Sequence, residues 1–261
     1  MYKRQVIDHK TITIENLPQE LRGTTITLLS DIHAGQYMDE KEMREYADVI
    51  NSLESDIVCI PGDFVNFEAK DVHMLTNAFR DLKAKHGVYG SLGNHDFFQD
   101  VDYVSKAIVN ESPVQLLRND HRSININGKK LFMMGVDDTR GSGSDMSTVL
   151  NYYSGLETKL KQTDTEFNSA PKILLCHKPY GFDSLAQKDI DLVLSGHTHG
   201  GQVVPVKFGN FNMSFAATVS KYIEGIYKIG RSNMYVSRGI GSVGLPIRIN
   251  CPPEITKITL A

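Results

Sequence analysis

The chain has 261 residues, 41% hydrophobic and 23% charged, a soluble globular composition that excludes a disordered or fibrous protein. Its 28 basic and 31 acidic residues leave a net charge of −3 and a pI near 6.3, so the bulk composition carries no nucleic-acid footprint. A chain of this length buries roughly three quarters of its unfolded surface on folding and needs no disulfide staples; Cys59, Cys176 and Cys251 are expected to be reduced core thiols. Met1 to Lys10 is charged rather than signal-like, and no 18 apolar residues run together. The expectation is a cytoplasmic protein with no transmembrane segment, its membrane contact limited to a peripheral one.

Taken in chain order, Thr24–Ser30, Asp56–Ile60 and Gly87–Leu92 read as strands, with helices over Asp39–Leu53 and Asp71–Ala84 between them, Asp39 and Asp71 placed as N-caps. His121–Met134 reads as a hairpin turning at Asn127 and Gly128. Thr139–Ser147, with Gly141, Ser142, Gly143 and Ser144, reads as a loop. Strands follow at Lys172–Cys176 and Asp191–Leu194, completing a βαβ-type, mostly parallel pattern. After Gly200 the segments Tyr222–Ile229, Met234–Ser237 and Ile255–Leu260 alternate and predict antiparallel pairing. No linker or repeat divides the chain, so residues 1–261 are expected to form one domain with two sheets.

Five segments place Asp, Asn or His where an apolar strand stops: Asp31-Ile32-His33, Gly62-Asp63, Gly93-Asn94-His95-Asp96, His177, and Gly196-His197-Thr198-His199. The carboxyl ends of strands in an open α/β sheet share one crevice, so these loops should converge. Residues i and i+2 of an extended backbone point to one side, which makes Asp-x-His and His-x-His chelating spacings. Imidazole with carboxylate or amide oxygen, and no thiolate, suits manganese, iron or zinc. Seven donors exceed the needs of one four-coordinate ion, and two metals sharing a carboxylate account for them.

In these five blocks, which run in order from residue 31 to 199, the sequence resembles the calcineurin-like metallophosphoesterase superfamily. Ser237-Arg238-Gly239-Ile240-Gly241, Leu245-Pro246-Ile247-Arg248 and Pro252-Pro253-Glu254-Ile255 further resemble its YkuE/YaeI-type bacterial phosphodiesterase branch. The resemblance implies an α/β fold, a four-layer α/β/β/α sandwich with two mixed β-sheets. It implies that Asp31, His33 and His199 hold one metal, that Asn94, His177 and His197 hold the other, and that Asp63 bridges them. His95 is then the general acid and Asp96 the residue orienting its ring.

Two divalent ions lower the pKa of a shared water and clamp phosphoryl oxygens for in-line attack by a bridging hydroxide, and their charge draws an anion to an acidic chain. The expected activity is therefore metal-dependent hydrolysis of a phosphodiester or pyrophosphate, on a small-molecule or lipid-linked substrate. The alternatives are a UDP-2,3-diacylglucosamine pyrophosphatase-like hydrolase, a nuclease, which the lack of a basic surface disfavours, and a non-catalytic binding scaffold. Gly239-Ile240-Gly241-Ser242-Val243-Gly244 spells a dinucleotide fingerprint, but Pro246 and an extended Ile247–Ile249 follow in place of a helix, so it reads as a glycine-rich turn near the site. Arg238 and Arg248 read as phosphate contacts or salt-bridge partners, Phe64, Phe67, Phe97 and Phe98 as core, and Lys178 and Tyr180 as candidates to meet substrate.

Overall fold

The computed structural model describes residues 5–98, 100–141, 145–208 and 211–261, without the side chains of 211 and 212. The first sheet takes β1 (Val6–Ile12), β2 (Thr25–Leu28), β3 (Ile57–Pro61), β4 (Val88–Ser91) and β5 (Val114–Leu116). The second takes β6 (Asp120–Ile126), β7 (Lys129–Gly135), β8 (Lys172–Leu175) and β9 (Leu192–Ser195). A small hairpin, β10 (Val206–Phe208) and β11 (Phe211–Met213), stands apart, followed by β12 (Gly225–Ile229), β13 (Ser232–Val236) and β14 (Glu254–Leu260). Strand order is β1-β14-β2-β3-β4-β5 in one sheet and β12-β13-β9-β8-β7-β6 in the other.

The layering follows from strand alternation, because successive side chains face opposite sides of a sheet. In β3, Ile57 and Cys59 face the second sheet, while Val58 and Ile60 face the helices α1 (Glu40–Ser52), α2 (Val72–Phe79) and α3 (Val101–Glu111). In β8 and β9, Ile173, Leu175, Leu192 and Leu194 enter the same inter-sheet core, and Leu174 and Val193 pack under α4 (Ser147–Thr163) and the short α5 (Phe182–Leu185). Three apolar layers between four layers of elements give the α/β/β/α sandwich. The three cysteines are buried and free.

The expected hairpin is present: Ile126 pairs with Lys129, and Asn127 and Gly128 take φ of 51° and 84°, the left-handed pair that a two-residue turn needs. Asp39 caps α1, its side chain accepting from Glu42 N. Two expectations need correction. The helix expected over Asp71–Ala84 ends at Phe79, and Asp71 is not its side-chain cap but the last residue of a 3-10 turn, Ala69–Asp71. Asn51 of α1 takes over beyond it, donating to Asp81 O and accepting from Lys83 N, so a tertiary contact replaces the last helical turn.

In the C-terminal third β12 and β13 pair antiparallel as expected, but the segments do not form a separate antiparallel unit. β13 pairs parallel with β9, and β14 inserts between β1, parallel, and β2, antiparallel. An alternating strand can pair in either direction in either sheet, and periodicity carries no record of the partner. Ser142, Gly143 and Ser144 of the expected loop lie outside the described residues.

Candidate metal centre

The five blocks meet at the carboxyl ends of β2, β3, β4, β8 and β9. Short backbone bonds sew them together: Asp31 N donates to Gly62 O, and Ile32 N and His33 N donate to Asp63 O. Asp31, His33, Asp63, His197 and His199 all adopt φ between 52° and 73°. Left-handed backbone at non-glycine residues costs of order 1–3 kcal/mol each and persists only where surroundings enforce it. Five such residues among seven expected donors mark the loops as shaped for their side chains.

Glycine permits the closest approaches. A Cβ on Gly93 would lie 2.2 Å from Asp63 Oδ1, and one on Gly239, at φ +68°, would lie 2.6 Å from the Asp31 Cβ. The Gly239–Gly244 turn therefore packs against a candidate ligand, as a glycine-rich turn near the site should.

All seven expected donors stand in one cluster, six of them with at most 6% exposure and His197 half-buried. Three groups, Asp31/His33/His199, Asp63/His177/His197 and His33/Asp63/His95, each bring candidate ligand atoms within 4.8 Å of one another. Asp63 belongs to two of them. His33 Nε2 lies 3.0 Å from His199 Nε2 and 3.5 Å from Asp63 Oδ2, and His177 Nε2 lies 3.1 Å from Asp63 Oδ2.

Burial lowers His33 to about 3 and holds His197 and His199 well below the ordinary imidazole value, so these rings are neutral. Asp63 stays well below the carboxylate range; burial opposes this, but the neighbouring His177 charge outweighs it. Burial raises Asp31 to about 6.

The donor set fits divalent cations. Asp31 Oδ2, His33 Nδ1, Asn94 Oδ1 and His177 Nε2 are buried without a hydrogen-bond partner, and such atoms normally find one. His177 Nδ1 lies 2.7 Å from Pro61 O; donating there leaves Nε2 to take a cation. One contact opposes ligation. Arg248 Nη2 lies 3.3 Å from His199 Nδ1, and a guanidinium only donates, so a cation on His199 Nε2 would require that contact to loosen.

The expected role of Asp96 needs correction. Its carboxylate accepts from the backbone N–H groups of Asp63, Phe64, Val65 and Gly93, tying the β3 and β4 loops together. Burial, then the Asp63 charge, raises it to about 7. The His95 ring is held by Asn66, with Nδ1 2.9 Å from Asn66 O. His95 and Asp96 are neighbours in a 3-10 turn, His95–Phe97, which points the two side chains apart. A backbone carbonyl leaves no side-chain signature, so the sequence could not single out Asn66.

Phe64 is core, but Phe67 is 52% exposed and packs with Phe98 on His95, at centroid distances of 5.6 and 4.4 Å. Lys178 is buried against Asp138 and donates to Gly141 O. Arg238 pairs with Asp8, Glu224 and Glu254, and Arg248 donates to the carbonyls of Arg238, Gly239 and Gly241.

A cavity of about 590 Å³ opens beside the cluster. Asp63, Asn94, His95, His197 and His199 form its polar wall. Tyr180, Val203, Phe215, Ala216, Val219 and Val243 make up its apolar lining, of which Phe215, Ala216 and Val219 lie on or next to a short helix, α6 (Ala216–Val219), and Tyr180 packs against the His197 ring. Among the described residues no helix is long and apolar enough to cross a membrane.

Fold and cluster together define a metallophosphoesterase architecture, and residues 24–201 match the calcineurin-like phosphoesterase family. The chain belongs to that family. It is 30% identical over 263 residues to a "transmembrane protein with metallophosphoesterase domain" from Danio rerio, covering 95% of this chain and 56% of that protein. The chain thus spans about half the length of that relative. It is 29% identical to the metallophosphoesterase YkuE of Bacillus subtilis, covering 99% of this chain and 88% of YkuE. Among solved structures, the TT1561 protein of Thermus thermophilus shares the fold with a TM-score of 0.55 at 11% identity, covering 84% of this chain and 90% of that one.

Proposed function

We propose that this protein hydrolyses a phosphodiester or pyrophosphate linkage, as one cytoplasmic domain. Asp31, His33 and His199 would hold one divalent cation, Asn94, His177 and His197 a second, and Asp63 would be shared. Manganese, iron and zinc suit these nitrogen and oxygen donors. The carrying observation is that Asp63 belongs to two donor groups while four buried donor atoms beside it lack partners. When bound, two such ions supply Lewis-acid polarisation of phosphoryl oxygens and acidify a coordinated water.

The chain's own residues do the rest. His95 lines the cavity; with Nδ1 committed to Asn66 O, Nε2 is the nitrogen free to protonate a leaving oxygen. Asp96 fixes the loops carrying Asp63 and Asn94. The apolar wall excludes water from one side of the bound ester and favours a second reading, in which the ester carries a hydrophobic group, as in UDP-2,3-diacylglucosamine.

Release of nitrophenolate from bis-nitrophenyl phosphate, with manganese and then with chelator, tests the first reading. Metal-dependent turnover is expected. None across several mono-, di- and pyrophosphate esters would favour a binding scaffold. Faster turnover of acylated than of unacylated pyrophosphate diesters would favour the second reading.

A further inference from the structure

Among the described residues, eight of the fifteen exposed large hydrophobic side chains fall in just two stretches, 206–219 and 245–249. Phe208 is 85% exposed and Phe215 82%, values far beyond those of scattered surface apolar residues. The two stretches are joined. Val203 bridges to Ile249, and the Gln202 side chain donates to Val243 O and Leu245 O and accepts from Val243 N. Gln202, Val203, Phe215 and Val243 also line the cavity beside the donor cluster, so the apolar patch is the rim of that cavity.

Charge points to the occupant. In a chain of net −3, residues 202–222 and 243–253 contain no Asp or Glu; Arg248 is turned inward onto the carbonyls of Arg238, Gly239 and Gly241, so Lys207 and Lys221 are the cations of the rim. Lys207 pairs with Glu224 and Lys221 with Asp183 at the margin of the patch, yet the Lys221 side chain stays 66% exposed. Protruding aromatic and aliphatic side chains beside cations, with no acid among them, match an anionic lipid surface: apolar groups enter the acyl boundary and cations meet headgroups. A large exposed apolar rim in a monomer otherwise needs a partner.

We propose that this rim seats the protein on anionic lipid bilayers, with the cavity mouth turned toward the headgroups. The docking does not depend on the reaction, and the two fail separately.

The test is cosedimentation with phosphatidylcholine vesicles, with and without phosphatidylglycerol, for the native chain and for Phe208→Ser/Leu245→Ser. Neither residue lines the cavity, and both are so exposed that the variant should keep its thermal midpoint and its turnover of soluble bis-nitrophenyl phosphate. The native chain should bind the anionic vesicles, more weakly as salt rises, and the variant at least about tenfold less. Equal binding to neutral vesicles, undiminished binding by the variant, or no vesicle binding overturns the proposal. Loss of a dimer in the variant on sedimentation, without vesicle binding, would assign the rim to a second copy of the chain and overturn it equally.

Discussion

Strands β8, β9 and β13 each carry buried polar groups at both ends, and the two ends are built on opposite principles. At their amino ends Lys172 donates to Ala170 O and Asp189 and sits 5.0 Å from the Phe167 ring. Asp191 accepts from Lys172 N, and Arg231 reaches both aspartates. None of these charged atoms is buried without a partner. At the carboxyl ends, where His177 and Gly196–His199 follow, donor atoms are left over, the backbone turns left-handed, and imidazoles crowd two carboxylates. Burying polar groups stabilises a fold only when they are satisfied. The charged groups of the amino end meet that rule within the chain, with Ser232 Oγ left unpartnered, whereas the carboxyl end leaves several ligand-type atoms unpaired.

Breaking each end in turn sharpens the contrast. The largest effect is expected for Asp63→Ala, which removes the one carboxylate common to two donor groups. Metal content by elemental analysis and turnover should fall together, turnover on the order of 10⁴-fold. Retained metal would reject the shared-ligand assignment. His95→Ala should keep its metal and lose about 10³-fold toward alkyl esters, less toward nitrophenyl esters, whose leaving group needs no proton; an equal loss on both would remove His95 from the acid role.

At the other end, Lys172→Met should cost about 2 kcal/mol of stability by removing the charged hydrogen bond to Asp189, Arg231 still reaching both aspartates. The urea midpoint should drop while turnover per folded molecule stays unchanged. A drop in turnover instead would mean that the two ends are coupled. Asp39→Ala, which uncaps α1 and is not among the donors, should cost only about 1 kcal/mol, again read from the urea midpoint, with activity untouched.

Much of the site was legible because its signals are local. Asp-x-His, Gly-Asp, Gly-Asn-His-Asp and Gly-His-x-His each sit directly after an apolar strand-length run, and strand polarity in an α/β sheet dictates where such loops gather. What went astray was non-local. Asp96 was expected beside its sequence neighbour His95, yet it binds the amides of the 63–65 loop, and the carbonyl of Asn66 holds the ring. The apolar rim left no signal in the sequence, since Leu245 lies thirty residues beyond Phe215 and exposure is not written in local pattern.

By itself, then, the sequence determined which residues could bind a cation, where strands and most helices lie, and which faces are apolar, because these follow from chemistry within a few residues along the chain. Only the tertiary structure decided which strands β13 and β14 would pair with, which backbone groups Asp96 and Arg248 would hold, and which apolar side chains would be left outside. Those outcomes depend on contacts between segments tens to hundreds of residues apart, where burial and hydrogen-bond satisfaction, rather than local pattern, select the partner.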